Sequence, residues 1–83
     1  RVIGAAMDES IEQGATVVDS VIMPHVAIGR GAQVTRAIIA ENTVIGPGCV
    51  IGGTEGGIAV VGQGARLLAG ETVLPGGQFE QKA

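Results

Sequence analysis

The sequence predicts an all-β fold, a single-stranded left-handed parallel β-helix of four to five coils. Three observations carry that expectation. Aliphatic residues recur as anchors at Ile22, Ile28, Val34, Ile39, Ile45 and Ile51, with steps of six, six, five, six and six residues. A small or β-branched residue stands two positions before each anchor: Ser20, Val26, Ala32, Ala37, Thr43 and Cys49. Glycines cluster just after the anchors, at Gly29, Gly31, Gly46 and Gly48. Self-similarity at a fixed period marks a repeat architecture.

Each hexad then reads as one short strand and one turn. The anchor points into a narrow interior. The small residue shares that interior near a corner, where a larger one would not fit. The glycines fit turns that need φ > 0 or a close approach of backbone. Three hexads make one triangular coil. Six-residue faces indicate the left-handed form, an exception to the usual right-handed crossover. Equivalent positions lie seventeen residues apart. On that offset, Ile28, Ile45 and the Val61 region are expected in one column, and Val34 and Ile51 in another.

Residues 1–19 read as a less regular coil. Counting back seventeen from Ile28 and Val34 reaches Ile11 and Val17, both aliphatic, with Gly14 as the turn and Ala15 as the small residue. Counting back from Ile22 reaches Ala5, a weak anchor; Ile3 is more apolar but out of step. Arg1-Val2-Ile3 starts in mid-pattern, with no polar lid. Asp8, Glu9 and Glu12 form a charge cluster that reads as a solvated face. The segment 52–57, GGTEGG, interrupts the repeat and reads as a corner loop, because solenoid insertions map to loops. The pattern resumes at Ile58-Ala59-Val60-Val61, with Val61 as anchor, then Leu67 or Leu68, then Val73 or Leu74. Pro75-Gly76-Gly77 reads as the end of the repeat, and 76–83 as a polar tail. Residues 1–83 thus form one β-helix domain.

Composition agrees. Hydrophobic residues make up 46% of the chain but aromatic ones only 1%, so Val and Ile supply the apolar mass; β-branched residues favour strands. A solenoid suits so short a chain, because each coil is stabilised by its neighbours and not by one large core. With a net charge of −3, no basic stripe and no aromatic platform, nucleic-acid binding has little support. No apolar run approaches the ~18 residues of a membrane helix, so no membrane partner is expected. A lone Cys49 excludes an internal disulfide and reads as a buried small hydrophobe. A reducing, cytoplasmic location is compatible with it.

The motifs Asp19-Ser20-Val21-Ile22-Met23-Pro24, Ile28-Gly29-Arg30-Gly31-Ala32, Arg36-Ala37-Ile38-Ile39, Glu41-Asn42 and the segment from Thr54 to Gly64 stand at characteristic spacing. Through them, most of residues 17–75 resembles the C-terminal β-helix of bacterial glucose-1-phosphate adenylyltransferases. The chain departs from that pattern at Ala40, often acidic in the family, and in its shorter corner loop. The resemblance implies a parent enzyme that makes ADP-glucose from ATP and glucose 1-phosphate, with Mg²⁺, in glycogen or starch synthesis. It places catalysis in a separate nucleotide-binding domain. It also implies subunits joined into an oligomer through their β-helices. Here the apolar residues expected to lean outward, Val21, Ile38, Val44 and Val60, are candidates for such a face.

The 83 residues contain no P-loop and no aspartate pair at metal spacing, so catalytic, cofactor and metal sites are expected to be none. The chain is therefore read as an oligomerisation and regulatory domain, inactive alone, with its own catalytic domain as partner. Arg30 and Arg36 are the candidate contacts to a phosphate-bearing effector or to the catalytic domain, because arginine presents a bidentate fork and the family's effectors bind near the domain junction. A sister subunit, another sugar-1-phosphate nucleotidylyltransferase and a hexapeptide acyl- or acetyltransferase stay open as alternatives. The last would use a corner histidine as general base. His25 is the only candidate, at an outward position with no evident Asn or acid to orient it, and it reads as a surface residue. A β-helix zinc site needs three histidines. An ice-binding face needs a threonine ladder, and Thr16, Thr35, Thr43, Thr54 and Thr72 form none.

Overall fold

The computed structural model describes residues 2–3 and 10–80. Among them are thirteen strands of two or three residues, all paired in parallel: β1 (Val2–Ile3), β2 (Ser10–Ile11), β3 (Thr16–Val18), β4 (Ser20–Ile22), β5 (Ala27–Ile28), β6 (Gln33–Thr35), β7 (Ala37–Ile39), β8 (Val44–Ile45), β9 (Val50–Gly52), β10 (Ala59–Val61), β11 (Arg66–Leu67), β12 (Thr72–Val73) and β13 (Gln78–Phe79). Every third strand joins the same sheet. The orders are β1-β4-β7-β10-β13, β2-β5-β8-β11 and β3-β6-β9-β12. The chain therefore winds around three sheets that wall a common interior, a parallel β-helix.

The register explains the six-residue period. Ile28 pairs with Ile45 and Val34 with Ile51, seventeen residues on in each case. Every anchor from Ile22 to Ile51 is buried, and so is the small residue two positions before each. Beyond the corner loop the same grammar returns: Ala59 precedes Val61 and Ala65 precedes Leu67, all buried. Leu67 and Val73 point inward, while Leu68 and Leu74 are 73% and 70% exposed.

Several expectations need correction. Val61 does not stack on Ile28 and Ile45. It pairs with Ile39, and Leu67 completes the Ile28–Ile45 column. The cause is the loop, which lengthens its coil to twenty-two residues between Val44 and Arg66. Ile11 holds anchor register with Ile28 but is 39% exposed. β2 is an edge strand among the described residues, so a described coil lies on only one side of Ile11. Val17 is half-buried against the core. Ile3 pairs with Val21, one residue out of step with the Ile22 column. Ala5, Asp8 and Glu9 lie outside the described residues. Gln78 and Phe79, expected in the polar tail, form a last strand on Val60 and Val61, with Phe79 packed on the core. Residues 81–83 lie outside the described residues. Ile58 belongs to the corner loop and not to the resumed repeat, because β10 starts at Ala59.

Apart from the loop at 53–58, the described corners turn in the same way. The residue three positions before an anchor has a left-handed backbone at Gly14, Asp19, His25, Gly31, Arg36, Asn42, Gly48, Gly64, Gly70 and Gly76, with φ between 48° and 86°. Glycine adopts this conformation freely, and Asn, Asp and His more readily than other residues. Arg36 is the exception, at a cost of about 1–2 kcal/mol. Gly29 and Gly46 serve a second need. A Cβ on Gly29 would lie 2.7 Å from Pro47 N, and one on Gly46 2.7 Å from Leu67 O. Coils approach too closely there for any side chain.

Two buried hydroxyls tie coils together. The Ala37 N–H donates to Ser20 Oγ at 3.1 Å, and that hydroxyl donates to Val18 O at 2.8 Å. The Thr43 hydroxyl donates to Gly62 O at 3.1 Å. Ser20→Ala leaves a buried N–H without its acceptor and should cost about 1–3 kcal/mol. Urea unfolding would read this as a lower midpoint at unchanged slope.

Candidate functional site

The two arginines singled out by the sequence stand on different corners. Arg30 follows β5 on the corner leading to β6. Its backbone N–H donates to Glu12 Oε2 at 3.1 Å, and its carbonyl accepts from Gly48 N. Glu12 follows Ile11, the register partner of Ile28, so its carboxylate bridges to the neighbouring coil. Glu12 is therefore more than a solvated charge. Arg36 stands on the next corner, between β6 and β7. Its Nη1 donates to Thr54 O at 3.3 Å. β6 separates the two residues.

The other candidates are equally dispersed. His25 is exposed on the corner between β4 and β5, with φ of 62°. Asn42 holds the same place one coil on, also at 62°, and its N–H donates to Pro24 O at 3.2 Å. An Asn does neighbour His25 in register, contrary to the sequence reading; the seventeen-residue offset contains that information. Cys49 is buried and its thiol donates to Leu68 O at 3.0 Å, away from the His25 corner. Among the described residues no three of His, Cys, Asp and Glu converge as a metal site. The turns at Gly29 and Gly46 do not cradle phosphate, because the next coil fills the space above each glycine.

Two depressions open on the surface. One, of about 410 Å³, is lined by Gly64, Arg66, Leu68, Glu71 and Phe79. The other, of about 310 Å³, is lined by Glu12, Ala27, Val44, Gly29, Gly46 and Pro47 among others. Neither includes His25, Arg30 or Arg36. Glu71 had a visible signal in the sequence: it occupies the position where other hexads carry a small residue. Its carboxylate accepts the Leu68 N–H across the turn.

The outward apolar residues divide. Val21, Ile38 and Val60 form one register column on the five-stranded sheet. Val44 lies on a second sheet, between Ala27 and Arg66.

Residues 3–66 match the family model described as GlmU-like, C-terminal hexapeptide. The chain belongs to this family. Its hexapeptide repeat makes the solenoid a left-handed β-helix. This GlmU-like hexapeptide chain is also similar to curated glucose-1-phosphate adenylyltransferases over their C-terminal regions. It is 42% identical to that of Corynebacterium diphtheriae over 67 residues, 68% of this chain and 16% of the relative. With that of Desulforamulus reducens the identity is 33% over 72 residues, 87% of this chain and 18% of the relative. With that of Fervidobacterium nodosum it is 52% over 42 residues, 51% of this chain and 10% of the relative. The chain thus spans less than a fifth of the length of these relatives. No solved structure matches it significantly. No helix among the described residues is long and apolar enough to cross a membrane.

Proposed function

We propose that this GlmU-like hexapeptide chain is the oligomerisation and regulatory β-helix of a glucose-1-phosphate adenylyltransferase. The observation that carries this reading is the likeness to the C-terminal regions of enzymes with that name, joined to an architecture of coils alone. On this reading the whole protein makes ADP-glucose from ATP and glucose 1-phosphate in the cytoplasm. The described residues offer neither a carboxylate cluster for Mg²⁺ nor a strand–glycine loop–helix unit for ATP. On this reading both ligands bind the separate catalytic domain of the whole protein.

Its role is then structural and regulatory. The Val21–Ile38–Val60 column is the face offered for self-association. Arg30 and Arg36, on separate corners, are offered as contacts to a phosphate-bearing effector or to the catalytic domain.

One experiment tests the assignment. The whole natural protein should release pyrophosphate from ATP and glucose 1-phosphate, and the isolated 83 residues should release none. Turnover by the isolated chain would overturn the division of labour. Acyl transfer from coenzyme A by the whole protein, without ADP-glucose synthesis, would favour a hexapeptide acyltransferase instead.

A further inference from the structure

We propose that Arg36 is a positioning residue, a clip that holds the corner loop 53–58 in one shape against the coil beneath it. The register places Arg36 there alone. On this corner the paired positions Val18–Thr35–Gly52 and Ser20–Ala37–Ala59 bracket the turn in successive coils. Between them lies Asp19 in one coil, Arg36 in the next, and then the whole of 53–58. The loop therefore stands where a single left-handed residue would stand, and Arg36 is the residue directly beneath it.

Arg36 touches the inserted segment at both ends. Its Nη1 donates to Thr54 O at 3.3 Å near the loop's start, and its carbonyl accepts from Ala59 N at 3.2 Å just past its finish. On the far side, Pro75 closes over the loop. A Cβ on Gly53 would lie 3.1 Å from Pro75 Cγ, and one on Gly56 2.9 Å from Pro75 Cβ. Between these two supports the loop has three glycines in its six residues, and Thr54 to Ile58 are exposed. So glycine-rich a segment has little preference of its own. Its shape depends on what grips it. That also explains why a corner otherwise given to Gly, Asn, Asp or His carries an arginine at φ of 48°. The left-handed backbone is disfavoured for arginine; the side chain reaches where theirs cannot.

Glu55 supplies the probe. A glutamate-specific endoprotease cuts after Glu55 only when the loop can open into its active site. Cutting after Glu41, exposed on a different corner, serves as the internal reference. Arg36→Gly removes the side chain and accepts the left-handed turn, so it should fold with an undiminished thermal midpoint. It should raise cleavage at Glu55 at least fivefold relative to Glu41. Arg36→Lys keeps a cationic donor and should stay within about twofold of the unaltered protein. A wild-type cleavage ratio in Arg36→Gly would overturn the proposal. Equal acceleration at Glu41 and Glu55 would also overturn it, because Arg36 would then serve the whole coil. Cleavage of Arg36→Lys as fast as Arg36→Gly would refute the clip as a donated hydrogen bond.

Discussion

Replacing Ile45 by Asp should leave this domain unfolded at 25 °C. Ile45 is buried between Ile28 and Leu67 in a continuous aliphatic column. The substitution loses about 2–3 kcal/mol of apolar burial. It adds several kcal/mol for an unpaired buried charge or for the proton taken up to neutralise it. Together these reach the total stability of many small domains, about 5 kcal/mol or more. Ile45→Val, in contrast, should cost only about 1 kcal/mol. Ile11 sits in the same column but is partly exposed, so Ile11→Asp should keep the fold. Circular dichroism melts of the three variants check the gradient. An unshifted melt for Ile45→Asp would reject the column.

Gly52→Ala should be the most damaging of the glycine substitutions. Gly52 has φ of 74°, and an added Cβ would lie 2.0 Å from Thr35 O in the coil beneath. That oxygen belongs to a paired strand and cannot rotate aside. The left-handed backbone alone costs alanine about 1–2 kcal/mol, and forcing the coils apart adds about 1–3 kcal/mol. Gly31 isolates the first contribution. It has the same φ of 74°, and an added Cβ there meets nothing within 4 Å. Gly31→Ala should therefore cost the backbone share only. Urea midpoints would measure the difference, and equal losses for the two variants would show that coil contact at Gly52 is soft.

The repeat was legible because its anchors and small residues have different jobs on the same six-residue step. Ile22 to Ile51 hold that step without a break, so strands, sheets and interior followed from spacing. Spacing failed where the chain length per coil changed. An offset of seventeen carried past residues 53–58 misplaced Val61, although the cyclic order of the anchors puts it above Ile39. The left-handed corner residue three positions before each anchor was the better guide. Gly64 points to Leu67 over Leu68, Gly70 to Val73 over Leu74, and Gly76 to Phe79 as one more anchor. The candidate site was less legible. Arg30 and Arg36 look like neighbours in sequence, but six residues are one full face of a triangular coil, and they turn to different corners. Nothing in their side chains encodes that separation; the winding does. The Arg36–Thr54 contact needed the loop's placement over one residue, which only the paired register reveals.

The lengthened coil also has a meaning for how such a chain can change. Closing a coil of twenty-two residues instead of seventeen costs only about 0.2 kcal/mol more in chain entropy. A one-residue slip within a strand, by comparison, would turn every anchor on that face outward. Corners can therefore gain residues at almost no thermodynamic expense, while faces can gain none. The insertion at 53–58 is one instance of a general freedom: in this fold, surface variety accumulates along the three edges of the prism, and the walls between them stay as they are.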